Sequence, residues 1–175
     1  MLAISVNQPY ASIIAAGAKL VETRDWKPYP NKLKPGDRVA IHATKNFPQW
    51  AKEICQEPRF FQALWPDIQG YRNTQESPYP ADWFMKIDDL YYSIDEIERR
   101  TEALPRGVIV ATARIAAFRS TNDDDFIDEL SQQEMQFGNY ASDRWGWVLE
   151  DVQALDEPIP ARGQLGIWQW EKKTA

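Results

Sequence analysis

ISVNQPYASIIAAGAKLVETRDW, residues 4–26, sets a helix, a glycine stop and a charged strand in immediate succession. Asn7 suits an N-cap and Pro9 a first helical turn, while Tyr10, Ile13 and Ile14 share one helical face, which predicts a helix near 8–16. Gly17 can end that helix in a left-handed conformation. A strand near 20–26 then puts Glu22, Arg24 and Trp26 on one side, because successive side chains alternate between the faces. Lys19 falls at the junction, close to that polar side. These charges stand beside Ile13, Ile14, Leu20 and Val21, so the edge of a core is expected rather than a solvated face. Gly17-x-Lys19-x-x-Glu22-x-Arg24 is therefore the candidate working site.

Outward from this stretch, the pattern predicts a lysine-rich loop, a strand near 38–44 and an inserted region of about 47–106. A long strand near 107–118, a helix near 124–136, a strand near 145–152 and a last strand near 165–170 follow. Few helices among non-alternating, β-rich strands point to a small barrel with peripheral helices. The insertion is interrupted by Pro48, Pro58, Pro66, Pro78 and Pro80 and is rich in rings: Trp50, Phe60, Phe61, Trp65, Tyr71, Tyr79, Trp83, Phe84, Tyr91 and Tyr92. Such rings can stack on bases, as in single-strand binders, but packing the excursion onto the barrel is the expected fate of most. Ser93 with Glu96 forms a capping box for a short helix carrying Ile94, Ile97 and Leu104.

The 175 residues suit a single domain, 1–175, and their 43% hydrophobic and 13% aromatic content is that of a globular chain. No apolar run approaches the ~18 residues of a membrane span and no leader pattern opens the chain, so a cytoplasmic location and no membrane partner are expected. One cysteine, Cys55, rules out an internal disulfide, and one histidine beside it argues against a zinc site. No metal or cofactor is expected. The net charge of −6 argues against a broad basic surface for duplex nucleic acid, yet residues 1–60 carry a local +4. GxSxG, HExxH, P-loop and GxGxxG motifs are absent, and the run Asp123-Asp124-Asp125 fits a helix N-terminus better than a cation site.

The opening SVNQPYASI, the motif GAKLVETR with Asp25-Trp26, the strands VAIHAT (39–44) and GVIVATARI (107–115), and the closing WGWVLEDVQALDEPIPARGQLGIWQW run in one order across nearly the whole chain. Together they resemble the ASCH domain family of the PUA-like superfold. The resemblance implies an α+β, PUA-like β-barrel, and it places Lys19 in a central cleft. It implies three functions: a binding module for single-stranded RNA or a nucleotide-like ligand, an RNA-directed hydrolase (a ribonuclease or an N4-acetylcytidine amidohydrolase), or a protein-interaction domain of coactivator type, for which a protein partner stays open. The amidohydrolase pattern has threonine three positions after its lysine. Here that position is Glu22, Thr23 points to the other strand face, and no motif places the required downstream glutamate.

Within the cleft reading, Lys19 contacts a phosphate or reacting group, as a cation or as a base if burial lowers its pKa. Glu22 orients Lys19, or pairs with Arg24 in a structural clamp; Lys19 and Glu22 are the catalytic candidates if the chain is an enzyme. Arg24 offers a fork for an anion. Tyr10, where many relatives have tryptophan, and Trp26 supply aromatic walls. Ser5, Gln8 and Tyr10 surround the helix start, His42 falls on the strand face of Arg38 and Ala40, toward that cleft, and Arg144 stands beside Trp145 and Trp147. Ligand-contacting candidates are thus Gln8, Tyr10, Lys19, Glu22, Arg24, Trp26, His42 and Arg144. The ordinary reading of a lone histidine is a hydrogen-bonded structural residue.

Overall fold

A computed structural model describes residues 1–27, 32–68, 70, 84–87 and 89–171. Its strands β1 (Leu2–Val6), β2 (Val21–Arg24), β3 (Arg38–Ala43), β6 (Val108–Ser120), β7 (Trp145–Pro160) and β8 (Ile167–Gln169) form one sheet in the order β2-β7-β6-β3-β1-β8. All neighbours are antiparallel except β1 and β3. The fold is mixed α+β, and the expected barrel takes the form of a strongly curled half-barrel with helices around it.

The curl has a local cause. Register shifts interrupt the β6–β7 ladder between Ile109 and Ala111, Thr112 and Arg114, and Ile115 and Ala117, and Asp151 in β7 has φ 47. Each such irregularity adds bend and twist to a long strand. One contact shows how far the sheet closes. β2 and β1 are four strands apart, roughly 19 Å in a flat sheet, yet the Arg24 guanidinium on β2 donates to Ser5 O on β1 at 2.7 Å.

The main core is built from Ile4, Ile14, Ile41, Ile115, Trp147 and Leu149 among others. Helix α1 (Tyr10–Ala15) packs Ala11, Ile13 and Ile14 inward. Gly17, at φ 74, ends it as expected, with Ala18 and Lys19 N–H both turned to Ile13 O. The N-cap expectation for Asn7 fails. Pro9 occupies the cap without a side-chain bond, and Asn7 Oδ1 instead accepts from the Thr44 hydroxyl at 2.8 Å. The predicted helix near 124–136 is two helices, α5 (Asp124–Glu129) and α6 (Gln132–Phe137), because the Ser131 hydroxyl accepts from Glu134 N and starts a new turn. Asp123 caps α5, as the acidic run suggests. β1 was not anticipated, and β7 is eight residues longer than expected.

Within the insertion, helices α2 (Gln49–Cys55), α3 (Pro58–Leu64) and α4 (Ile94–Glu102) join the hairpin β4 (Phe84–Ile87) and β5 (Leu90–Ser93). Ser93 caps α4, as predicted; Leu104 lies past its end. Phe61, Trp65 and Tyr92 join Ala51, Cys55 and Ile97 in a core of their own, so the rings pack chiefly on one another. Phe60, wedged between Tyr10 at 5.7 Å and Phe137 at 5.0 Å, joins this satellite to the barrel side. Tyr71, Tyr79, Trp83, Pro78 and Pro80 lie outside the described residues, as does the side chain of Phe84.

Candidate functional site

Lys19 is the most buried charge of the motif, 1% exposed, and its Nζ lies 3.1 Å from Glu134 Oε1. Glu134 also accepts from Leu20 N at 2.6 Å and from the Tyr140 hydroxyl at 2.8 Å. The carboxylate thus collects three donors in a buried place, where a lone charge would be costly. Burial and then the Glu134 charge push the Tyr140 phenol far above its usual range, with Glu22 adding to the shift. Sequence reading missed Glu134. Its one local signal is the Ser131-x-x-Glu134 capping pattern, which points at the helix start and says nothing of a lysine in β2's approach.

Glu22 and Arg24 pair as the clamp reading expects, Arg24 Nε lying 3.1 Å from Glu22 Oε1. That contact is an ion pair rather than an aligned hydrogen bond, for Arg24 Nε has no hydrogen-bond partner among the described residues. Arg24 also lies over the Trp147 ring at 5.9 Å, and Trp26 meets the same ring edge-on at 5.0 Å. Trp147 is 0% exposed and its indole N–H has no acceptor among the described residues. Arg144 donates to Thr23 O at 3.3 Å, which ties the turn before β7 to β2. Tyr10 is half-buried against Phe60, and burial, followed by the charge of Glu22, raises its pKa. Gln8 is fully buried and its amide is consumed by Pro105 O at 2.6 Å and by Ser12.

His42 does not join Lys19. It belongs to a groove of about 1120 Å3 at the other side of Ser5, walled by β1, β3 and the loop between β7 and β8. Ser5 and His42 are register partners in the parallel β1–β3 pair, whose register is unbroken, while on the other side of β3 the partner strand β6 carries an extra residue, Val110, opposite the step from Ile41 to His42. His42 Nε2 lies 3.1 Å from Ala161 O and Nδ1 3.3 Å from Ser5 Oγ, while Trp168 meets the ring edge-on at 5.6 Å. Burial lowers the His42 pKa. Leu165, 99% exposed, stands at the groove's rim beside Lys45 and Arg162. Neither of these cations has an ion-pair partner among the described residues, although eight other arginines do.

Solved ASCH structures are similar to this chain. The ASCH protein of Zymomonas mobilis aligns at 16% identity and a TM-score of 0.45, covering 98% of this chain and 87% of that one. Two single-substitution variants of that protein align at 16% identity and TM-scores of 0.46, each over 98% of this chain and over 88% and 90% of their own. No family model matches the chain.

Two groups of candidates therefore separate in space. Lys19 meets the Glu134 carboxylate, Arg24 and Trp26 meet the ring of Trp147, Glu22 pairs with Arg24, Arg144 holds β2 and Tyr10 meets Phe60, whereas His42 opens on the groove; Arg24, through Ser5 O, links the two. The groove was not legible as a site, because its wall comes from three distant segments. Its signal in the sequence is the closing run Pro160 to Trp170, with two glycines around the turn. Among the described residues no group of three or more His, Cys, Asp or Glu could hold a metal ion, and no helix is long and apolar enough to cross a membrane.

Proposed function

We propose that this chain is an ASCH-type domain that binds single-stranded RNA or a nucleotide-like ligand in the groove beside the GxKxxExR motif. One observation carries the reading: a roomy, largely apolar groove whose rim holds Lys45 and Arg162, two cations without an ion-pair partner among the described residues, although Glu171 also lines the groove. Ligand sites combine an apolar lining with a few polar groups, and a cation held apart from its own protein's anions is available to a phosphate. Leu165 and Trp170 supply apolar surface for a base, and Arg24 fixes the position of Ser5 from behind. In this arrangement Lys19 and Glu22 shape the inner wall rather than touch the ligand.

The test is fluorescence anisotropy with a labelled single-stranded RNA across a salt series, for the parent and for Lys45→Ala and Arg162→Ala. Each lost phosphate contact reduces the slope of log K against log salt by roughly 0.7. Binding that ignores both substitutions and salt refutes the reading and moves weight to a protein-interaction domain. A second reading, a hydrolase acting on RNA or a modified nucleoside, is favoured by Glu134, a downstream carboxylate beside Lys19 that sequence motifs did not place. Products formed by the parent from RNA or N4-acetylcytidine and absent with Lys19→Ala would support it; unchanged substrates count against it.

A further inference from the structure

Within the groove, Ser5 and His42 stand side by side in a pairing for which ligand contact gives no account. The Ala161 carbonyl can only accept, so it fixes the histidine tautomer with the proton on Nε2. Nδ1 is left as a lone pair, 3.3 Å from Ser5 Oγ. The Ser5 hydroxyl receives the Trp168 indole N–H at 3.2 Å and gives its one proton to Gln164 O at 2.9 Å, so the hydroxyl has to rotate from Gln164 O to Nδ1 before His42 can take that proton. A nucleophile, a base within reach and a third group that orients the base are the parts of covalent catalysis, and apo contacts of this kind are often loose. Burial keeps the imidazole neutral near pH 7, the state that accepts a proton. Among the described residues, the amides of Arg162, Gly163 and Gln164, in the loop over the pair, donate to no protein acceptor.

We propose that Ser5 is a nucleophile and His42 its general base, in a hydrolytic site for carboxylic esters carried by anionic, nucleotide-like molecules. This assignment rests on the groove being the ligand site. Ser5 Oγ attacks the acyl carbon and its proton passes to His42 Nδ1. The free loop amides are the donors at hand for the oxyanion. The ester C–O bond then breaks, and the departing alcohol takes the proton from Nδ1. Water attacks the acyl-serine, its proton passes to Nδ1, the carboxylic acid leaves, and Ser5 regains its proton. Lys45 and Arg162 hold the phosphate of the alcohol part.

The test uses the full chain with two probes: an alkyl fluorophosphonate, followed by intact mass and peptide mapping, and an O-acetyl ester of adenosine monophosphate, followed by product mass. The expected result is one phosphonyl adduct on Ser5, lost in Ser5→Ala, slower by at least ~100-fold in a His42→Gln variant shown folded by circular dichroism, and release of acetate by the parent alone. No adduct on Ser5, an adduct that persists in Ser5→Ala, or a His42→Gln rate equal to the parent's overturns the proposal. RNA binding by the parent is measured on the same samples. Retained binding without a Ser5 adduct refutes the pair's chemistry and leaves the binding reading standing. A Ser5 adduct without RNA or nucleotide binding refutes the binding reading, and with it the anionic substrate class.

Discussion

Replacing Glu134 tests whether the buried network around Lys19 holds the molecule together. Glu134→Gln keeps the size of the side chain but removes its charge, leaving the Lys19 ammonium, 1% exposed, without a counter-ion. Removing one partner of a buried pair costs about 3–5 kcal/mol. An amide oxygen still accepts from Leu20 N or Tyr140, which recovers part of the hydrogen bonding that an alanine would forfeit, so the expected loss for Glu134→Gln is about 3 kcal/mol and for Glu134→Ala about 4 kcal/mol or more. Against a total stability of about 5–15 kcal/mol either is a large fraction. Lys19→Met with Glu134→Gln removes both charges and keeps the volume, and buried pairs replaced as a unit are often near neutral. The assay is urea unfolding followed by circular dichroism for the parent, both single variants and the double variant. The double variant is expected to lie closer to the parent than Glu134→Gln alone, with a coupling of about 2–3 kcal/mol. Additive effects, or a Glu134→Gln loss below about 1 kcal/mol, would refute the account of Lys19 as a buried, paired charge. The double variant also serves the functional question, since a folded protein that lacks Lys19 and still binds RNA assigns this lysine to the wall.

Other predictions follow from single contacts. An added Cβ at Gly163 would stand 2.3 Å from His42 Cε1, so Gly163→Ala is expected to push the ring or the loop aside, lower stability by about 1–3 kcal/mol and shift the His42 ring resonances in NMR; unchanged resonances would contradict the close approach. The His42 pKa is lowered in the folded state, so the unfolded chain binds the extra proton and stability falls as pH drops below the unfolded value near 6.5. Urea midpoints should therefore decline between pH 7.5 and 5.5 more steeply for the parent than for His42→Gln, and parallel curves would show that His42 does not contribute. Burial pushes the Cys55 thiol up to about 12, and its Sγ lies 3.2 Å from Ala51 O, so the native protein should resist a thiol reagent that modifies it promptly in denaturant. Phe61→Ala should cost about 3–5 kcal/mol by hollowing the satellite core, measured by thermal unfolding.

The sequence was informative wherever the chemistry is local. The turn from α1 to β2 needs one left-handed residue, and Gly17 supplies it; the Glu22–Arg24 pair needs only strand alternation; the α4 cap needs only Ser93 and Glu96. Legibility fails with distance along the chain. Glu134 reaches Lys19 across 115 positions, and no pattern in either segment encodes the other. Ser131 divides the helix expected near 124–136 because a side chain that caps a new turn competes with continuing the old one. Alternation placed His42 on the face of Ala40, and it does lie there, against Trp168, while Val39, Ile41 and Ala43 enter the main core; but residues 39–43 are all buried, so alternation in a strand covered on both sides does not tell which face carries a site. Gln8, expected near a ligand, is instead a bolt between α1 and the chain leading to β6, which the sequence could not show because Pro105 O is its partner.

The place of β1 sets an order on biogenesis. Of the six strands described in this sheet β1 is made before the others, yet it lies between β3 and β8, and β8 is made after the other five. The ladder of Leu2, Ala3 and Ile4 with Gln169, Trp168 and Ile167 cannot form until about 165 further residues have been made. At synthesis speeds of about 5–20 residues per second, the nascent sheet carries an unpaired edge at Leu2–Val6 for roughly ten to thirty seconds. The same wait leaves Ser5 without the Trp168 indole, so the groove takes its final form only after β8 has been made.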